Sequence, residues 1–172
     1  MLRWFRFFSR WPLWALHAIG WLGGWLAWLL SGTYRRRFLD NVRQAGLGWG
    51  DVAGAIGQAG CMSAELPRLW LGTPPPIEWA HDSAAAEAYA AGQGVLFLTP
   101  HMGCFEITAQ ALALRFGAVH GPLTVLYRPA RQSALAEVMT LARNRPGLEA
   151  VPTTLAGVRQ MIKALRAGHA VG

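Results

Sequence analysis

A histidine and a single carboxylate stand five residues apart at the end of a short apolar run. His101 follows residues 95–100, and Glu106 is the only acidic residue between Glu87 and Glu137. An imidazole titrates near neutral pH, and a neighbouring carboxylate can orient it as a general base. The residue types therefore predict acid–base chemistry at His101 and Glu106. A surface histidine before an ordinary helix with a solvated glutamate is the alternative.

The two side chains can meet only if a turn separates them. On one continuous helix, residues five apart point about 140° away from each other. His101 must therefore lie in the turn before a helix, with Glu106 about one turn inside it. Pro100 favours an extended residue before it and a helix start after it. Gly103 would let the backbone approach a ligand closely.

Strands and helices alternate through the second half of the chain. The pattern predicts strands at 77–79, 95–99, 123–127, 148–151 and from 169, and helices at 83–91, 105–116, 133–144 and 155–167. This alternation is typical of βαβ units, and so of an α/β fold around a mainly parallel sheet. Ligands in such folds lie beyond the carboxyl ends of the strands. His101 and Arg128 both follow predicted strands, so we expect them at one edge.

The N-terminal part of the chain is apolar and rich in tryptophan. Residues 11–30 contain no Asp, Glu, Lys or Arg, and arginines flank them on both sides. This length can cross a hydrocarbon core as a helix, and a helix lying in the membrane interface is the alternative. Helices are also predicted at 36–45 and 49–71, with Pro67 bending or ending the second. We therefore expect a membrane anchor helix at 1–32, a helical segment at 33–73, and an α/β domain at 74–172 that begins at the prolines 74–76.

Composition narrows the classes of partner. The 172 residues are 53% hydrophobic with nine tryptophans, and the formal net charge is +7. Such a chain is typical of contact with a membrane bilayer or an anionic lipid, and we expect no nucleic acid partner. Cys61 and Cys104 are distant and indicate free thiols, with Cys104 as a small buried filler. The histidines and cysteines are too scattered to predict a metal site, and we expect no cofactor.

Several sequence blocks, in order, resemble the late acyltransferases of lipid A biosynthesis. These lauroyl and myristoyl transferases belong to the wider superfamily of glycerolipid acyltransferases with an His-x4-Asp/Glu motif. The blocks are residues 92–97, 101–106, 125–129, 143–147 and 163–168, with Arg36, Arg37 and Asn41 after the apolar helix. An Asp-Gln block normally follows the last of these in the family and does not follow here. We therefore expect a fragment whose α/β domain is incomplete at the C-terminus.

The resemblance implies an activity and roles for individual residues. A fatty acyl group would pass from acyl-acyl carrier protein to a hydroxyl of a lipid A precursor, at the bacterial inner membrane, with the catalytic domain facing the cytoplasm. His101 would be the base and Glu106 its orienting partner. Arg128 would pair with a phosphate of the acceptor or of the carrier, with a structural ion pair as its alternative. Arg143 and Arg145 would form a basic surface for the acidic carrier protein, with a solvated helix end as the equal alternative.

Two other functions are compatible with the sequence. The same chemistry could act on a lysophospholipid or another glycolipid. An inactive membrane-bound fragment is the second alternative. The acyl length, the acceptor position and the oligomeric state do not follow from the residues.

Overall fold

The computed structural model describes residues 1–73, 75–130, 132–143 and 145–172. Pro74, at which we predicted the start of the α/β domain, and Asn144, at which we predicted the end of a helix, lie outside the described residues. The N-terminal part consists of α1 (Leu2–Phe8), α2 (Leu13–Leu30), α3 (Gly32–Gln44) and α4 (Trp49–Leu71). Helix α4 continues through Pro67, so this proline does not end it.

Pro12 sets the start of the helix in the apolar N-terminal run. It has no N–H and takes an extended conformation with φ −66° and ψ 146°, so the helix predicted over residues 11–30 begins at residue 13. Helix α2 buries Leu16, Gly20 and Gly24, a stripe with four-residue spacing that packs on α4. Within the described ranges, α2 is the one helix long and apolar enough to cross a membrane. Its remaining faces expose large apolar side chains, namely Trp14, Ile19, Trp21, Leu22, Leu26, Leu29 and Leu30.

A parallel sheet of four strands forms the second part of the molecule, in the order β1-β4-β2-β3. The strands are β1 (Val95–Leu96), β2 (Leu123–Tyr127), β3 (Leu148–Pro152) and β4 (Ala170–Val171). Helix α5 (Ser83–Ala90) precedes the sheet, and α6 (Thr108–His120), α7 (Ser133–Arg143) and α8 (Leu155–Arg166) connect its strands. This architecture confirms the predicted α/β fold. The strand predicted from residue 169 pairs in parallel with β1, as expected.

Some predicted boundaries are wrong. Residues 77–79 do not form a strand, because Trp79 packs edge-on against Phe116 with ring centroids 5.9 Å apart and its backbone does not join the sheet. Strand β1 ends at Leu96, where its ladder with β4 stops. The helix predicted over residues 105–116 begins instead as a 3₁₀ turn, Phe105–Ile107, which α6 follows as far as His120.

Two buried clusters hold these elements together. One lies between the sheet and its helices and contains Tyr89, Leu112, Phe116, Leu123 and Ala170. The other joins Leu69 and Trp70 at the end of α4 to Val138 and Ala142 on α7. The second cluster fixes the end of α4 against the α/β part of the molecule, beside the loops that leave the sheet.

Candidate active site

A cavity of about 310 Å³ opens where the strands of the sheet end. His101, Glu106, Arg128 and Arg143 all line it, and Gly103 and Arg145 are not among its described lining residues. Apolar side chains form much of the remaining wall, including Phe97, Ala109, Leu112, Leu123, Val125 and Leu148. An imidazole, a carboxylate and two guanidinium groups therefore face a space that can also hold an apolar ligand. We call this the catalytic cavity.

The loop after β1 presents His101 to solvent. The Phe97 N–H still donates to the Val171 carbonyl at 2.8 Å, but the chain then leaves the sheet. The His101 ring lies against Phe105, with centroids 4.5 Å apart. Gly103 has a φ of +56°, and a Cβ there would meet nothing within 4 Å. Its glycine is therefore explained by the left-handed backbone of this loop and not by crowding.

Glu106 lies in the 3₁₀ turn, and its carboxylate is held by a residue from α4. The Trp70 indole Nε1 donates to Glu106 Oε2 at 3.0 Å. Trp70 also lines the catalytic cavity and stacks on Phe5 with centroids 5.8 Å apart. The indole N–H is an uncharged donor, so this hydrogen bond does not pair Glu106 with a cation.

His101 and Glu106 share the catalytic cavity without contacting each other. In the described part of the chain, no hydrogen bond or ion pair joins their side chains, and Glu106 bonds to Trp70 instead. His101 does precede the helix, as the spacing required. The regular helix begins at Thr108, so Glu106 lies before it and not one turn inside it. Their direct pairing stays a prediction.

The two arginines of the catalytic cavity differ in exposure. Arg128 is exposed just after β2. Arg143 is half-buried, and its guanidinium lies over the Tyr127 ring, 4.4 Å from the centroid. Burial lowers the pKa of Arg143, and the charge of Glu106 opposes that shift. Its Nη1 is buried and has no hydrogen-bond partner among the described residues. Arg143 therefore faces the cavity and does not form part of a solvated surface.

Arg145 is also half-buried, but it faces the end of α4. Its Nη2 donates to the Trp70 carbonyl at 2.6 Å and to the Leu69 carbonyl at 3.4 Å. The last carbonyls of a helix lack partners within that helix, and a cationic donor is favourable there. Buried Gln110 donates to the same Leu69 carbonyl at 3.1 Å. These bonds support Trp70, and Trp70 in turn bonds Glu106.

Cys104 is exposed, which corrects the prediction of a buried filler. Desolvation of the thiol, together with the nearby Glu65 carboxylate, raises the pKa of Cys104 to about 11. Cys104 is therefore a neutral thiol near pH 7, and only the thiolate is a strong nucleophile. Glu65 is buried on α4 and is also hydrogen-bonded to His17 of α2, with 2.9 Å between Glu65 Oε2 and His17 Nε2.

Sequence reasoning missed Trp70 and Tyr127, and it did not distinguish the surroundings of Arg143 from those of Arg145. Trp70 lies 36 residues before Glu106 and in another element, so no local pattern relates them. Tyr127 is the last residue of β2. Its position at a strand end, next to Arg128, was the one sequence feature that could have indicated a place in the site. Arg143 is the last residue of α7, a position that normally predicts a solvated cation.

Comparison with known proteins gives one family. Residues 75–172 match the family described as "Bacterial lipid A biosynthesis acyltransferase". The match covers every strand of the sheet and all the residues that line the catalytic cavity except Trp70. No curated protein matches the chain significantly.

Proposed function

Because this chain belongs to the bacterial lipid A biosynthesis acyltransferase family, we propose that it transfers a fatty acyl group from acyl-acyl carrier protein to a hydroxyl of a lipid A precursor. Acyl transfer in lipid A biosynthesis is the activity of the family. The donor, the acceptor and the roles of individual residues are the proposal. The observation that supports it is one cavity lined by His101, Glu106, Arg128 and Arg143 together with apolar side chains.

His101 acts as the general base. Its imidazole takes the proton from the acceptor hydroxyl while that oxygen attacks the carbonyl carbon of the thioester. The tetrahedral intermediate collapses, the carbon–sulfur bond breaks, and the imidazolium returns the proton to the departing thiolate. The products are an ester and a free thiol, and no covalent enzyme intermediate forms. The neutral Cys104 thiol agrees with a direct transfer.

Glu106 stabilises the imidazolium that forms during the transfer. Its carboxylate faces the same cavity as His101, and the neutral Trp70 indole donates a hydrogen bond to it. A rotation of the Glu106 or His101 side chain on substrate binding would bring the two together. Hydrogen bonds of this kind are often absent before substrate binds.

The two guanidinium groups bind negative charge. Arg128 lines the catalytic cavity and is exposed to solvent. It pairs with a phosphate of the acceptor or of the carrier's pantetheine arm. Arg143 offers a buried N–H inside the cavity, close to where the thioester oxygen becomes negative. The left-handed Gly103 shapes the loop that carries His101.

The bilayer supplies the acceptor and covers the exposed face of α2. That face carries Trp14, Leu22 and Leu30, each at least 70% exposed. Contact of this surface with hydrocarbon is favourable by about 25 cal/mol per Å² of apolar area. We assign the protein to the bacterial inner membrane with the catalytic cavity on the cytoplasmic side, where acyl-acyl carrier protein is made available.

Transfer in a reconstituted assay tests this function. The full chain in detergent micelles receives radiolabelled acyl-acyl carrier protein with either a lipid A precursor or a lysophospholipid as acceptor. We expect labelled lipid A precursor, and we expect His101→Ala to lower the rate by about 10²–10⁴-fold.

His81→Ala is the matched control, because His81 is an exposed histidine outside the catalytic cavity. It should transfer at the wild-type rate. Labelling of the lysophospholipid alone would contradict the acceptor. A wild-type rate for His101→Ala would contradict the mechanism.

A further inference from the structure

A second cleft, of about 640 Å³, lies where α1 meets the end of α4. It is separate from the catalytic cavity, and the two have no described lining residue in common. Four of its described lining residues are arginines from three places in the chain: Arg6, Arg10, Arg68 and Arg145. We call it the arginine cleft.

The positive charge of the arginine cleft has no carboxylate to balance it. Throughout the described ranges, no Asp or Glu lines the cleft, and none lies within 4.0 Å of its guanidinium groups. Arg68 Nε is buried and has no hydrogen-bond partner in the part of the chain described. Cations that face one space without a counter-charge repel one another, and an anion bound there would offset that cost.

The guanidinium groups form a hydrogen-bonded pair and an exposed pair. Arg68 Nη1 donates to the Trp11 carbonyl at 3.1 Å, and Arg145 Nη2 donates to the Trp70 carbonyl at 2.6 Å. These bonds hold two guanidinium groups in place while leaving other N–H groups to donate. Arg6 and Arg10 are exposed and can close over a ligand. A planar guanidinium fork can donate two parallel hydrogen bonds to the oxygens of a phosphate or a carboxylate.

The surroundings of the arginine cleft indicate where that phosphate comes from. Trp4 and Phe7 on α1 and Trp14 on the first turn of α2 are 67%, 52% and 75% exposed. Exposed aromatic rings of this kind lie at the level of lipid headgroups in membrane proteins. Helix α2 follows α1 in the chain and exposes further large apolar side chains from Trp14 onward. A phosphate at this level belongs to a lipid.

We propose that the arginine cleft binds the anionic phosphate of a membrane lipid headgroup. The inference is independent of acyl transfer, because it rests on a different set of residues. A phosphomonoester headgroup such as that of phosphatidic acid carries up to two negative charges and offsets part of the positive charge of the cleft. The choline of phosphatidylcholine carries a positive charge and would meet the same arginines unfavourably.

Calorimetric titration of the full chain in neutral detergent micelles tests the site. The probes are phosphatidic acid, phosphatidylcholine and inorganic phosphate. We expect saturable binding of about one phosphatidic acid per chain, at least tenfold tighter than either other probe. The double variant Arg6→Gln/Arg10→Gln should weaken that binding by about tenfold or more, since each arginine near a membrane surface is worth about 1 kcal/mol.

The matched control is Arg36→Gln/Arg37→Gln, which removes the same charge from exposed arginines on α3 at the other end of α2. It should bind phosphatidic acid like the wild type. Arg6→Lys/Arg10→Lys, which keeps the charge without the forks, should bind at intermediate strength. Equal losses in both glutamine variants, equal binding of inorganic phosphate, or no binding by the wild type would each overturn the proposal. His101→Ala should bind normally, so a failure of the catalytic mechanism would not affect this result.

Discussion

The helix pair α2–α4 and the loops of the α/β part are built on opposite principles. The two helices meet through Gly20, Gly24 and Gly60, and a Cβ on Gly60 would overlap the Gly20 carbonyl oxygen. Their contact is therefore made by backbone, and it leaves no room for a methyl group. His101 and Arg128, in contrast, are exposed on loops beyond the strands. Stability should therefore respond to changes in the helix pair, and activity to changes in the loops.

Glu106→Gln should have the largest effect, and on activity alone. The substitution removes the negative charge that stabilises the imidazolium in the proposed mechanism, while keeping an oxygen that can accept from Trp70. We expect a fall in kcat of about 10²-fold, less than for loss of the base itself. Steady-state kinetics and thermal unfolding measured on the same preparation would show whether Tm stays unchanged. A fall in Tm that accounts for the lost rate would mean that the loops also carry stability.

The rate at which Cys104 is alkylated should test the contact between the two regions, because Cys104 lies on a loop of the α/β part and Glu65 lies on α4. Desolvation and the Glu65 carboxylate of α4 raise the pKa of Cys104 from its ordinary 9.0 to about 11. At pH 8 the thiolate fraction is therefore lower, and alkylation should be slower by between about tenfold and about a hundredfold than for an ordinary thiol.

Mass spectrometry of the iodoacetamide-treated peptide would follow this rate from pH 7 to pH 11. The rate should still rise above pH 9. In Glu65→Gln the rise should move to lower pH. A midpoint near 9 in the wild type would contradict the raised pKa of Cys104, and an equal midpoint in the wild type and in Glu65→Gln would show that Glu65 does not contribute to it.

Gly60→Ala should destabilise the protein by about 1–3 kcal/mol, the usual cost of overpacking a tight contact. The new methyl group would force α2 and α4 apart. Gly23→Ala on α2 and Gly54→Ala on α4 are matched controls, because a Cβ at either position meets nothing within 4 Å. These controls should be more stable than the wild type by about 0.5–1 kcal/mol through helix propensity.

Denaturant unfolding in micelles would compare the three variants, and the opposite signs are the test. Transfer by Gly60→Ala at a temperature where it is still folded should be close to normal. If all three alanines change stability in the same direction, then the close backbone contact does not determine stability.

Trp70→Phe should have the smallest effect of these changes, because it removes one hydrogen bond and keeps the aromatic packing. Trp70 belongs to both regions, since it lies on α4 and lines the catalytic cavity. Phenylalanine keeps the stacking on Phe5 but loses the N–H that bonds Glu106. We expect kcat to fall by about tenfold, a cost typical of one hydrogen bond to a charged group. The pH profile of kcat should also shift, and this would not follow from a packing defect.

Trp79→Phe provides the control, because Trp79 packs in the core and its described contacts do not include Glu106. It should leave the pH profile unchanged. An unchanged profile in Trp70→Phe as well would remove Trp70 from the positioning of Glu106.

Local patterns predicted most of the fold. The strand at 123–127 and the helix at 49–71 have the predicted bounds, because apolar periodicity, glycines and prolines mark their ends. The predicted strand at 77–79 failed because the burial of Trp79 does not require a paired backbone. Residue 11 lies outside α2 because Pro12 sets the start of the helix, and a hydropathy pattern does not register that effect.

The candidate site was less predictable than the fold. His101, Glu106 and Arg128 could be selected from strand ends and from the scarcity of acidic residues. The hydrogen bond from Trp70 and the stacking of Arg143 on Tyr127 depend on tertiary packing between separate elements. Arg145 stood beside Arg143 in the prediction, yet the two face different cavities. Arg143 and Arg145 are only two residues apart, and nothing in the local sequence indicates that they face different cavities.

The position of β4 in the sheet has a consequence for biosynthesis. Strand β1 bonds only to β4 within the described sheet, and β4 separates β1 from β2. Leu96 of β1 can therefore pair with a strand only after Val171 of β4 has been synthesised. Helix α2 is synthesised far earlier. Sheets that depend on such distant pairing form slowly and expose unpaired edges meanwhile. The first helices would therefore be complete while the sheet beside the catalytic cavity still lacks the strand that joins β1 to β2.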